Sequence, residues 1–181
     1  MVPCIKSGHP VRVKNSYNIQ SPGSIIVAKH SAKPNRVCAI TSVKHVTLID
    51  IVSTRMLGAA GFLAHIFNQF LKWNISIDVV ATSEVSVSLT INTDADISGL
   101  LEDLKKVADV EVKQEKAIIA IICDVGSTSS ILADGFKALN ENGINVQMIS
   151  QGASKVNISF ICDDCQSKDV VKILHKAYFG A

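Results

Sequence analysis

A chain of 181 residues has room for one large hydrophobic core or two small ones. With 48% hydrophobic and 19% charged residues it falls among globular proteins and outside the disordered class. A formal charge of +2 leaves no basic stripe for nucleic acid, and no apolar run approaches the roughly 20 residues of a membrane span.

In chain order, Met1 to His9 lacks the charged and apolar regions of a secretory signal. A first strand is expected over Arg36–Thr41, followed by Val46–Val52, a Gly-containing turn and a helix over Phe62–Trp73. In that helix Phe62, Leu63, Ile66, Phe67 and Phe70 form one apolar stripe, which reads as core. Strands over Asn74–Val80 and Val85–Leu89, a helix over Asp96–Ala108 and a strand over Val110–Val112 come next.

The order then starts again. Ala117–Cys123 reads as a strand, Asp124–Ser130 as a turn and Ile131–Asn142 as a helix stopped by the left-handed cap signal Asn142-Gly143. Strands over Gly143–Ile149 and Val156–Phe160 and a helix over Ser167–Tyr178 complete it. Two stretches sharing one order and nearly one spacing are a duplicated βαββαβ unit. The second copy ends without its last strand, which would leave an open sheet edge. The strand Val37–Ile40 is expected to fill that place, so that copy one (46–114) is inserted within copy two (36–45 plus 115–181).

No complete chemical site emerges. The five cysteines are odd in number and lack framework spacing, which fits a reducing, intracellular compartment. Cys162-Asp-Asp-Cys165 has no second pair to complete a tetrahedral metal set and reads as a strand end plus loop. His9, His30, His45, His65 and His175 are scattered, and Gly58-Ala-Ala-Gly61 is only a weak phosphate-loop lookalike. Catalytic and metal-binding residues are therefore not assigned.

Three motifs in order are more specific: Met56-Leu-Gly-Ala-Ala-Gly-Phe-Leu-Ala64, Val79-Val-Ala-Thr-Ser-Glu-Val-Ser-Val-Ser88 and Val146-Gln-Met-Ile-Ser-Gln-Gly-Ala-Ser-Lys155. They resemble the paired regulatory ACT domains of aspartate kinases, closest to the lysine-sensitive, monofunctional, plant-like group. Pro10–Tyr17 resembles the last strand region of that family's kinase domain, making 1–35 a remnant of the kinase end plus linker. The resemblance implies an α+β fold of two ferredoxin-like ACT domains, with antiparallel sheets and helices on one face. It implies a regulatory part of an ATP:L-aspartate 4-phosphotransferase, placed in the cytoplasm or, in a plant, the plastid stroma. The family's phosphate-binding signature and aspartate-binding residues do not occur in these residues.

The resemblance further implies a homodimer joined through ACT domains, a kinase domain as partner, and L-lysine as effector where two first ACT units meet. S-adenosylmethionine is a second effector in some relatives, and no cofactor is implied. Carried over by motif, the effector contacts are Met56, Gly61, Phe62, Leu63, Ser76, Asp78, Thr82, Ser83 and Glu84. The chemistry is consistent: a helix start at Gly61 suits a carboxylate, and two acids suit two ammonium groups. On the residues alone, Asp78 reads as a solvated strand residue and Glu84 as a turn residue, since charged side chains are usually exposed. In copy two Gln147 replaces Asp78 and no acid matches Glu84, so packing and dimerisation are expected there.

Overall fold

Two long strands organise the protein: β3, Arg36–Val52, and β6, Asp109–Asp124. In this computed structural model, which describes residues 2–28, 36–124, 128–152 and 157–180, they pair antiparallel along nearly their whole length. Each is continuous where the sequence pattern suggests two separate strands. The joins fall at His45 and Glu115, both at φ 56.

The register explains the joins. Between the pairs Val43–Ile118 and Val46–Lys116, β3 carries one residue more than β6. Between Val46–Lys116 and Leu48–Lys113, β6 carries one more than β3. At the joins each strand thus has one bulge, marked by the left-handed residue in its interval, His45 or Glu115, and β3 carries a further extra residue between Val37 and Ala39. A one-residue bulge swaps the faces of all residues beyond it. Val110 packs into the first helix-side core, while Ile118, an even number of residues further along β6, packs on the opposite face.

The remaining elements hang on this pair. After β3 come α2 (Phe62–Lys72), β4 (Val79–Thr82), β5 (Ser86–Asn92) and α3 (Ser98–Lys105). After β6 come α4 (Thr128–Glu141), β7 (Met148–Gln151), β8 (Asn157–Asp163) and α5 (Ser167–Phe179). They form one antiparallel sheet of order β4-β5-β3-β6-β8-β7. Val46–Val52 pairs with β5 on one side and with the start of β6 on the other. Val37–Val43 pairs with Cys123–Ile118, and Ala39 lies opposite Ile122. The chain is thus α+β, with antiparallel strands and two ferredoxin-like halves that share β3 and β6. The strands expected over Asn74–Val80 and Gly143–Ile149 begin later, at Val79 and Met148, after extended connections. Val156 and Ala153–Lys155 lie outside the described residues, as does His30.

Ile49, Ile51, Val87, Leu89 and Ile91 meet Ile66, Phe70, Leu100 and Leu104 of α2 and α3. Ala117, Ile119, Ile121, Ile158 and Phe160 meet Ile131, Leu139, Val170 and Leu174 of α4 and α5. On the other face Val46, Leu48, Ile118, Met148 and Ile161 form a third cluster, flanked by Val79 and Ala81 of β4. The sheet curls around this cluster until its edge strands touch, and the Ser150 hydroxyl donates to the Val80 carbonyl at 2.7 Å.

The bulge is tied down from the second half. Asp164, in the 3₁₀ turn Asp164–Gln166, is 9% exposed and takes Lys44 at 3.3 Å and His45 at 3.0 Å. Asp50, which faces Glu111 across the strands, is bridged to it by Lys113 at 3.1 Å to each. The N-terminal unit, Met1–Lys33, is separate in its contacts. It holds a short helix α1 (Val2–Lys6) and a hairpin of β1 (Val11–Val13) and β2 (Ser24–Ile26), with Val13, Tyr17, Ile19 and Ile25 exposed.

Two stability tests follow from this packing. Glu115→Val is expected to cost about 1–2 kcal/mol in urea unfolding, because a β-branched residue resists positive φ, whereas Glu115→Gly costs nothing. The Tyr178 hydroxyl donates to the Ile131 carbonyl at 2.6 Å and fills the space that a side chain at Gly135 would need. Burial, with Asp134 adding repulsion, pushes its phenol up to about 12 from the ordinary 10.0. The neutral form is favoured by folding, so this stabilisation is complete below pH 10 and disappears as pH rises toward 12. Tyr178→Phe is expected to lose about 1 kcal/mol at pH 8 and to flatten that part of the alkaline fall in unfolding free energy.

Candidate functional site

The loop from β3 to α2 is shaped by three local devices. The Ser53 hydroxyl is buried, accepts the Arg55 N–H at 3.3 Å and donates to the Val107 carbonyl at 3.1 Å. This pins the 3₁₀ turn Thr54–Met56 against the connection from α3 to β6. Gly58 and Gly61 take φ 68 and 85, and Gly61 is the N-cap of α2. Its left-handed geometry turns the chain into the helix without a side-chain cap.

The β4–β5 hairpin approaches from the other side. The Ser83 hydroxyl lies 2.6 Å from that of Ser86 and accepts the Ser86 N–H at 3.1 Å, which fixes the tip that carries Glu84. Between loop and hairpin is a groove of about 370 Å³ lined by Met56, Leu57, Gly58, Ala59, Gly61, Phe62, Leu63, Ser83 and Glu84. Met56, Gly61, Phe62, Leu63, Ser83 and Glu84 are thus brought together. Leu57, Gly58 and Ala59 join them; they are not among the expected contacts, although they stand inside the same Met56–Ala64 motif, which is the signal that points to them.

The other expected contacts lie elsewhere. Thr82, just before the hairpin tip, is exposed and outside the groove lining. Ser76 is exposed in the connection before β4. The Asp78 N–H donates to the Thr90 carbonyl, whereas the Ser83 N–H donates to Ser86, at the far end of the hairpin. The four residues Val79–Thr82 therefore separate Asp78 from the Glu84 end by about 13 Å. Asp78 instead lines a second cavity of about 350 Å³ with Lys44, His45, Asn92 and Asp94. One chain does not hold Asp78 and Glu84 around the same small molecule.

In the second half the corresponding polar residues are engaged in packing. Gln147 donates to Asp163 at 2.9 Å, Ser150 to Val80, and Gln151 to the Thr128 hydroxyl at 3.1 Å. Cys162 is buried at the end of β8, its thiol pushed up to about 11 mainly by that burial, while Cys165 is exposed. Among the described residues no group of three or more His, Cys, Asp or Glu side chains is placed to hold a metal. No helix there is long and apolar enough to cross a membrane.

Comparison with known proteins agrees with this architecture. The ACT domain profile matches residues 119–178. A C-terminal regulatory domain of aspartate kinase from Porphyromonas gingivalis superposes with a TM-score of 0.67 at 30% identity, over 78% of this chain and 96% of that one. The chain belongs to the ACT-domain regulatory regions of the aspartokinases. Aspartokinase 3, chloroplastic, of Arabidopsis thaliana is 46% identical over 99% of this chain and 34% of its own length. Escherichia coli aspartokinase III, solved in complex with lysine and aspartate, superposes with a TM-score of 0.81 at 32% identity, over 98% of this chain and 41% of that one. The chain thus spans about a third of the length of the plant aspartokinases it matches.

Gly61 offers a test of how this family's loop is built. No atom lies within 4 Å of where a Cβ would sit, so Gly61→Ala meets no clash and is penalised only by its φ of +85. An expected loss of about 1–2 kcal/mol, read by urea unfolding, separates that backbone cost from a steric one.

Proposed function

We propose that this chain is the amino-acid-sensing part of an aspartate kinase and binds L-lysine for feedback inhibition. The supporting observation is the groove that joins the Gly61 helix start to Glu84. The first N–H groups of α2 and its dipole suit the lysine carboxylate, and Glu84 suits an ammonium group. The second ammonium requires a further acid, which one chain does not supply there. In this reading it is Asp78 of a second copy, so the site lies where two first ACT halves meet in a homodimer.

The kinase domain that relatives carry outside this span would read the change, as a coupling free energy between effector and active site. Phosphoryl transfer belongs to that domain, and the chain itself carries no catalytic site in this reading. S-adenosylmethionine is a second effector to compare. The chloroplastic relatives make the plastid stroma the expected compartment.

Calorimetric titration with L-lysine tests the reading, with threonine and S-adenosylmethionine as comparisons. Saturable lysine binding is expected, weakened roughly 10-fold or more by Glu84→Gln and by Asp78→Asn, since each removes a charge-assisted hydrogen bond. Dimers made by mixing these two variants should regain one full site, because one interface then carries both intact acids. No recovery would place both acids in one chain's site. No binding by a folded dimer would leave a structural dimerisation module.

A further inference from the structure

Another cavity, of about 290 Å³, lies on the other side of the Thr54–Met56 turn and is lined by Val52–Arg55 and Lys105–Asp109. Three cations converge on it from two elements: Arg55 from the turn, and Lys105 and Lys106 from the end of α3. Lys106 is committed to Asp103 at 2.7 Å, and that carboxylate also takes Lys72 at 2.6 Å and the Trp73 indole N–H at 3.0 Å. Arg55 and Lys105 have no carboxylate partner within ion-pair distance among the described residues. The one acid in the lining, Asp109, pairs with neither.

Lysines at the end of α3 have an ordinary reason to be there, the helix dipole. Arg55 does not share it, since its position is set by the Ser53 hydroxyl and by the turn it sits in. A guanidinium fork and an ammonium facing one small polar hollow form an arrangement suited to a multiply charged oxyanion.

The turn also belongs to the effector groove. Met56 and Leu57 line the groove, while Thr54 and Arg55 line the basic cavity. The Ser53 hydroxyl, bonded to the Val107 carbonyl, joins the turn to the far wall of that cavity. A ligand held by Arg55 is attached to the same short turn that positions Met56.

We propose that this cavity binds a small phosphate-bearing anion and that the Ser53–Met56 turn couples it to the effector groove. The anion site stands by itself, and the coupling rests on the lysine reading. Linkage makes the coupling reciprocal: phosphate changes lysine affinity by the same factor as lysine changes phosphate affinity.

The test is a titration of the whole chain with inorganic phosphate, followed by amide chemical shifts at constant ionic strength. Saturable shifts confined to the Ser53–Arg55 and Lys105–Asp109 segments are expected. Arg55→Ala and Lys105→Ala, both at exposed positions, should each weaken binding roughly 10-fold. ADP and ATP in parallel titrations show whether a free or a nucleotide phosphate is preferred. Shifts reproduced by sodium chloride, or unchanged in both variants, overturn the site. A lysine midpoint that moves with saturating phosphate in the native chain, but not in Arg55→Ala, supports the coupling. A midpoint that does not move overturns it. Failure of lysine binding in phosphate-free buffer sinks the lysine reading and the coupling together, while the phosphate shifts still judge the anion site.

Discussion

The pair of offset bulges at His45 and Glu115 is the constraint on which the rest of the architecture depends. Without them β3 and β6 would run as a regular ladder, and the second half would present its apolar positions to the wrong face. With them, Ile49 and Ile51 face α2 and α3 while Ile119 and Ile121 face α4 and α5. The opposite face is then left free to form the third cluster, which closes the curled sheet. Positive φ at a residue with a side chain is costly, and at this bulge both His45 and its neighbour Lys44 reach the nearly buried Asp164, which holds the turn in place. The two halves have no free linker between them, because both joins are continuous strand.

Duplication has produced two similar halves with different surface chemistry. In the first half the loop before the helix is held open by left-handed glycines and by the Ser53 hydroxyl, and Ser83 presents Glu84 at the hairpin tip. In the second half the equivalent side chains are bonded within the fold: Gln147 to Asp163, Ser150 to Val80, and at the surface Gln151 to Thr128. The contact from Ser150 to Val80 crosses from one half to the other. Polar residues that close the sheet are thereby removed from the inventory available for a ligand. The difference lies in hydrogen-bond partners and not in fold.

Most of this was legible because the periodicities were clean. The stripe Phe62, Ile66, Phe70 and the alternation in Val85–Leu89 identify their elements directly, and the repeat order gives the two halves. The continuity of β3 and β6 was not legible, since Lys44-His45 and Gln114-Glu115 look like polar breaks between apolar runs. Only the register shows that they are bulges inside a strand. The sequence pattern starts β4 and β7 too early for a related reason. Ile75 and Ile77 alternate like a strand, and they do pack on the core, but from an extended connection that precedes the ladder. At the site, neighbouring motif residues point to the groove, whereas the basic side of the same turn has no sequence signature because Arg55 and Lys105 are far apart in sequence.

The separation of Asp78 from Glu84 is the most informative detail of the candidate site. Their closeness in sequence suggests one cluster, but a strand of four residues holds them at opposite ends of β4. A sensor that drew on both acids would be incomplete in one copy and complete only across two. Ligand binding and association would then be a single linked equilibrium, in which ligand favours the paired state by RT ln(1 + [L]/Kd) for each site. Such a sensor needs no large movement within a half. The shared strands can stay fixed while the relation between copies carries the signal, and the Ser53–Met56 turn, wedged between the groove and the α3–β6 connection, is where that signal would enter the rest of the fold.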